Sequence, residues 1–339
     1  MKSRFLRWAA AVMAAVMLAA LPAAANDYDD LSYWEIAEIA SEYDNISDDF
    51  LDDVYNASDL NDMISVEKFQ ELAQKHYVKL EFLQRFFSDH LVYSDYGQYI
   101  YDPVDTSLPL SNYRREDFTQ HANGEISYTS PEGVRALKGI DVSKYQGRID
   151  WEAVRDDGVE FAIIRIGYRG YTKGQMYRDA RWEENLKGAL DAGLQVGVYF
   201  FSQAVTEAEA RAEARVVLDC LEGYDITFPV VYDVEEAGSS AARTNGLSVR
   251  QRTDNAIAFC ETIEEAGYRP MIYSYTRVLA SLVDLSRLTD YGLWVAQYYD
   301  APFFPYDFQI WQYSSTGRVD GINGNVDLNL SFVNYGALS

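Results

Sequence analysis

The chain has 339 residues, 48% of them hydrophobic, and a formal net charge of −24. It is long enough for two domains and too apolar to be disordered. Its acidity argues against nucleic acid and anionic membrane surfaces as partners. Cys220 and Cys260 are the only cysteines, and no Cys/His spacing suggests zinc.

Lys2, Arg4 and Arg7 precede an apolar run over residues 8–21, and Ala23-Ala24-Ala25 follows. This pattern predicts a secretory signal peptide over 1–25, cleaved after Ala25. The run is short for a bilayer span, and no later segment could cross a membrane. In an exported chain Cys220 and Cys260 could form a disulfide or remain buried thiols. Residues 26–135 carry 24 acidic and 7 basic residues. Within them Tyr33, Trp34, Ile36, Ile39, Ala40 and Tyr43 fall at helical spacing. A longer helix is expected over 64–90, with Phe69, Leu72, Ala73, Tyr77, Leu80, Leu83 and Phe87 on one face. Residues 91–101 change period and read as a hairpin turning near Asp95-Tyr96-Gly97. Residues 103–131 are irregular and polar. The reading for 26–135 is a small acidic, mostly helical domain with a connecting arm. A spacer, a wall-binding module and an oligomerisation element all fit it.

From residue 136 the pattern becomes regular. Strands over 137–143, 161–168, 195–202, 229–235 and 269–275 alternate with helices over 150–157, 180–192, 206–221, 248–266 and 276–288. Three strands follow, over 293–298, 308–313 and 325–330, with no helices between them. Alternation demands a mostly parallel sheet with right-handed crossovers. Eight strands can close into a barrel. An open doubly wound sheet is the alternative, but no Gly-rich phosphate loop follows the first strand. The expected class is therefore α/β: a TIM-like β/α barrel of five β/α units plus three strands over 136–339, preceded by the helical domain.

The stretch Phe228-Pro229-Val230-Val231-Tyr232-Asp233-Val234-Glu235-Glu236-Ala237-Gly238 reads as a buried strand that turns acidic at its C-terminal end. Residues two apart share a strand face, so Asp233 and Glu235 project together. Each disfavours ionisation of the other, so one holds a proton beside a carboxylate anion. That is the equipment of glycoside hydrolysis. Asp141 falls near the end of the first strand and Asp327 on the last. Closure would make those strands neighbours, so four carboxylates would ring one mouth. A Ca²⁺ or Mg²⁺ site is the rival reading, and separate solvated strand ends are the third. Tyr199, Phe201, Tyr273, Tyr275, Trp294, Trp311 and Tyr313 lie at or near strand ends, where flat faces suit pyranose rings and equally suit a core. The histidines, His76, His90 and His121, all precede the barrel. Ser-His or Cys-His chemistry thus has no base there, and acid–base work falls to carboxylates.

Residues 139–339 resemble glycoside hydrolase family twenty-five, the Chalaropsis-type lysozymes. The matching pieces begin with Asp141-Val142-Ser143-x-x-Gln146-Gly147-x-Ile149-Asp150-Trp151, Gly197-Val198-Tyr199-Phe200-Phe201 and Tyr232-Asp233-Val234-Glu235. They continue with Ile272-Tyr273-Ser274-Tyr275, Leu293-Trp294-Val295-Ala296-Gln297-Tyr298, Trp311-Gln312-Tyr313-Ser314-Ser315 and Asn325-Val326-Asp327-Leu328-Asn329. The resemblance implies a metal- and cofactor-independent muramidase. It would cut the β-1,4 bond between N-acetylmuramic acid and N-acetylglucosamine, with peptidoglycan glycan strands as its partner. By motif position Glu235 resembles the general acid/base, Asp233 its assisting partner, and Asp141 and Asp327 the supporting acids. Arg165, Tyr199, Phe201, Tyr273, Tyr275, Trp294 and Gln312 are the implied substrate contacts. Phe200 departs from the family at a position where many members have histidine, which bears on one rim contact. Retention of configuration is implied, either through a carboxylate nucleophile or, as the D-x-E geometry favours, through the substrate's acetamido group. An inactive wall-binding protein and a chitinase-like glycosidase are the other readings. The intact acids speak against the first, and the Asp-Val-Ser-x-x-Gln-Gly segment against the second.

Overall fold

The computed structural model describes residues 30–338, so the expected leader lies outside the described residues. By packing, the chain divides into two units, at Asp105/Thr106.

In the first unit, helices Tyr33–Ala40, Asp48–Ala57, Val66–His76 and Leu80–Gln84 precede a hairpin of His90–Asp95 with Gln98–Pro103. Ile36, Phe50, Phe69, Phe82 and Val92 form a fully buried core. Ser47 and Ser65 cap the second and third helices by accepting from the Phe50 and Lys68 amides. The hairpin turns through Tyr96 and Gly97, both with positive φ, the conformation that a tight two-residue hairpin loop requires. The helix expected over 64–90 is broken. Tyr77 adopts a left-handed conformation that ends one helix, and a short second one begins at Leu80.

The second unit is a closed barrel. Its strands are β1 Leu137–Val142, β2 Phe161–Arg169, β3 Gln195–Ser202, β4 Val230–Val234, β5 Pro270–Tyr275, β6 Gly292–Ala296, β7 Ile310–Gly317 and β8 Val326–Ser331. Each pairs with the next, and β8 returns to β1. Among these eight strands all pairings are parallel except the two made by β8, which runs against both neighbours, and a short strand, Met176–Arg178, adds antiparallel to β2. Helices α1 Trp151–Asp156, α2 Trp182–Asp191, α3 Glu207–Leu221, α4 Val249–Glu265 and α5 Thr276–Ser281 provide the crossovers. Where one helix was expected over 276–288, α5 stops at Ser281 and a short 3₁₀ turn, Leu285–Arg287, follows.

Phe161, Ile163, Val231, Met271, Trp294 and Ile310 fill the lumen, and Phe228 stacks on Phe161 at 4.5 Å between centroids. No crossover helix follows β6 or β7. Segment 106–135, which the sequence reading grouped with the preceding helices, covers this side instead. Tyr113 stacks on Phe332 at 4.0 Å, and Phe118 meets Trp311 edge-on at 5.3 Å. The backbone bonds Ser111 N–H to Pro305 O and Asp307 N–H to Pro109 O tie it down. Cys220 and Cys260, on α3 and α4, are buried free thiols.

A Cβ at Gly139 would lie 2.2 Å from the Phe161 ring in this packed lumen. Gly139→Ala should therefore cost about 1–3 kcal/mol of stability by chemical denaturation. Gly246→Ala, with open space around it, should shift stability by less than about 0.5 kcal/mol.

Candidate active site

The side chains at the C-terminal ends of the parallel strands form an acidic cleft of about 210 Å³. It is lined by Asp141, Tyr199, Asp233, Glu235, Tyr273, Trp294, Tyr298, Gln312 and Asp327. Strand alternation puts Asp233 on the lumen face with Val231, while Tyr232 points outward to the Phe259 ring on α4. Glu235 follows one residue past the end of β4 and is half-buried, whereas Asp233 is buried. Because β8 is antiparallel, its first residues lie at this same mouth, and Asp327 pairs directly with Asp141.

The Asp233 and Glu235 carboxyls interact side by side, an interaction that favours a proton on Asp233 and the anion on Glu235. Burial, then the charge of Glu235, pushes the Asp233 carboxyl well above the ordinary range. Glu235 is also raised, chiefly by burial, although the bond from Asp233 pulls it back. Burial raises Asp141 to about 6 against the lowering effect of hydrogen bonds from Asn329 and Gln312. Burial and the nearby charges of Asp141 and Glu235 raise Asp327 to about 8.

A polar lattice orients Asp141. Its Oδ2 accepts from Gln312 Nε2 at 2.7 Å and Asn329 Nδ2 at 2.9 Å. Gln312 Oε1 accepts from the Tyr273 and Tyr298 hydroxyls, each at 2.8 Å, which fixes the amide orientation. Trp294 Nε1 donates to Asn329 Oδ1 at 2.8 Å. The backbone beneath the acid pair is held as well. Ser274 Oγ donates to Val234 O at 2.5 Å. Gln203 Nε2 donates to Glu235 O at 3.2 Å, while Thr244 Oγ1 donates to Gln203 Oε1 at 3.0 Å.

All four acids expected at the mouth line the cleft, with Tyr199, Tyr273, Trp294 and Gln312. Arg165, Phe201 and Tyr275 are not among its lining residues. Arg165 pairs with buried Asp179 at 2.6 Å, and its charge acts on Tyr199 and Asp141 from beside the cleft. Phe201 shares the face of Tyr199 and is half-buried, next to Asp233 in register. The Tyr275 hydroxyl donates to Glu236 Oε2 at 3.3 Å, and Arg277 is ion-paired with the same carboxylate. Phe200 is no rim contact. It pairs with outward-facing Tyr232 and is fully buried on the helix side of the sheet. Tyr298 and Asn329 were missed, although both lie in quoted motif segments. Asn329 follows Asp327 by two residues and so shares its face, which was the available signal. Among the described residues no three His, Cys, Asp or Glu side chains are grouped to hold a metal ion.

A β/α barrel carrying a proton-sharing acid pair with aromatic walls at the C-terminal ends of its strands defines a glycoside hydrolase. Residues 140–322 match the sequence profile of glycosyl hydrolases family 25, and the chain belongs to that family. Similar proteins include the uncharacterized protein YegX of Escherichia coli K12, 35% identical over 208 residues, covering 57% of this chain and 69% of that one. Lysozyme M1 of Streptomyces globisporus is 32% identical over 212 residues, covering 59% and 69%. The bacterial lysozyme of Streptomyces coelicolor matches in structure with a TM-score of 0.50 at 29% identity, covering 60% of this chain and 94% of that one.

Asp327 binds its proton more tightly folded than unfolded. The stability it contributes is fully present below about pH 4 and is lost as pH rises through about 8. Asp327→Asn should therefore raise the melting temperature, with a larger gain at pH 8 than at pH 4.5 in paired thermal scans.

Proposed function

We propose that this protein is an exported muramidase that hydrolyses the β-1,4 bond between N-acetylmuramic acid and N-acetylglucosamine, with retention of configuration. The observation that carries this reading is the pairing of the Asp233 and Glu235 carboxyls in one cleft walled by Tyr199, Tyr273 and Trp294. Family membership and the lysozymes among its relatives support the bond specificity. The basic, apolar and Ala-rich order of residues 1–25 supports export to the cell wall.

Glu235 is the more exposed acid of the pair and acts as general acid/base. With the shared proton on Glu235, the glycosidic oxygen is protonated as the C1–O bond breaks. The acetamido oxygen of the substrate attacks C1 from the opposite face, forming a cyclic oxazolinium. Asp233 accepts the acetamido N–H, for which its Oδ1, unbonded among the described residues, is the available acceptor. Water then gives a proton to Glu235 and its oxygen to C1. Two inversions yield retention. Asp141, oriented by Gln312 and Asn329, stabilises the positive charge that develops at the ring, and Asp327, which keeps its proton below about pH 8, stands beside it as a hydrogen-bond donor. Aromatic faces and the Gln312 amide position the sugars.

Glu235→Gln should retain the wild-type melting curve and release reducing ends from purified peptidoglycan at least about 10³-fold more slowly. Turnover near wild type would remove Glu235 from this role. Wild-type activity should fall at alkaline pH as the raised Asp233–Glu235 pair loses its shared proton. It should be unchanged by chelator; loss restored by Ca²⁺ or Mg²⁺ would favour the metal reading.

A further inference from the structure

Directly after β1 the chain makes a short 3₁₀ turn, Lys144–Gln146, held rigidly by Ser143. The Ser143 amide donates to Gln146 Oε1 at 2.9 Å, and Ser143 Oγ accepts from the Tyr145 amide at 3.3 Å. The turn presents Lys144 between two rings. Its Nζ lies 5.4 Å from the Tyr145 centroid and 5.7 Å from that of Tyr168. Tyr168 in turn stacks on Tyr177 at 5.2 Å and 23°. Tyr145 is 77% exposed and Tyr177 43%, so the aromatic faces are open to a ligand.

The charge arrangement is unusual for so acidic a chain. Three described lysines are partly buried: Lys68, Lys138 and Lys144. Lys68 pairs with Glu71, and Lys138 with Glu125 and Asp157. Lys144 forms no ion pair among the described residues. Its nearest acid by hydrogen bonding is Asp179, which accepts from the Lys144 backbone amide at 3.2 Å and is otherwise committed to Arg165 at 2.6 and 2.8 Å and to the Arg181 backbone amide at 3.0 Å. The neighbouring guanidinium is thus neutralised by a buried carboxylate, while the ammonium is left uncompensated at the surface.

This cation–aromatic shelf is contiguous with the cleft. Arg165 lies 5.1 Å from the Tyr145 centroid and 5.6 Å from that of Tyr168, and is paired in register with Tyr199, which lines the cleft. Lys144 follows Asp141 by three residues. An ammonium flanked by exposed rings recognises an anionic group on a partly apolar chain. We propose that Lys144, Tyr145, Tyr168 and Tyr177 form a subsite that takes a carboxylate of the peptide stem carried by the muramic acid residue in the cleft. The proposal rests on the muramidase reading above.

The test compares soluble glycan strands bearing peptide stems with the same strands stripped of stems by an amidase and then amidated at the lactyl carboxylates that this exposes. Lys144→Met should raise KM about tenfold on stem-bearing strands with kcat unchanged, and behave as wild type on stripped strands. Lys144→Arg should restore the wild-type KM, and the wild-type advantage should shrink in high salt. An unchanged KM on stem-bearing strands, or an equal rise on both substrates, would overturn the subsite. Binding of a muramyl peptide and of its stem-free counterpart to Glu235→Gln, with and without Lys144→Met, reads the subsite without turnover. Stem-selective binding without wild-type cleavage would keep the subsite and sink the muramidase reading. Cleavage with no stem selectivity would do the reverse.

Discussion

The barrel mouth depends on one constraint: carboxyl groups crowded together out of water cannot all ionise. Asp141, Asp233, Glu235 and Asp327 line one cleft, and Arg165, the cation whose charge acts on Asp141 and Asp233, is already paired with Asp179. Each acid is pushed upward by burial, and the charges of neighbouring acids add to this for Asp233, Glu235 and Asp327. The consequence is a proton retained between Asp233 and Glu235, the state that acid catalysis on a glycosidic bond needs. The same crowding opposes folding at neutral pH, a strain that the surrounding polar contacts offset.

Those contacts explain why so many polar side chains are buried around the lumen. Gln312 is held by two tyrosine hydroxyls and Asn329 by the Trp294 indole, so both amides present N–H groups to Asp141. Ser274 and Gln203 hold the carbonyls of Val234 and Glu235, fixing the backbone where β4 gives way to its loop. Gln312 and Asn329 are each bonded on both sides of the amide, so their orientation is set by several bonds together more than by any one.

Outside the cleft, missing helices shape the rest of the unit. After α5 the chain crosses from β6 to β7 and β7 to β8 without a covering helix, leaving Trp311 and Phe332 to be shielded. Tyr113, Phe118 and Tyr128 of segment 106–135 supply that cover. A stretch that reads as an irregular polar arm is thus part of the barrel's outer layer. Its three aromatic residues are too few and too irregularly spaced to announce that role.

The sequence by itself determined the alternation of strands and helices, the eight-strand count and the shared face of Asp233 and Glu235, because period-two and period-3.6 patterns are local properties of the chain. It also indicated that Asp141 and Asp327 would meet. What only the tertiary structure decided was the direction of β8, since a parallel last strand would have carried Asp327 to the opposite end of the barrel. The outward turn of Phe200, the break at Tyr77 and the lattice around Asp141 were decided there too. Each depends on contacts between residues distant in the chain, and burial and hydrogen bonding are set by what surrounds a side chain in space.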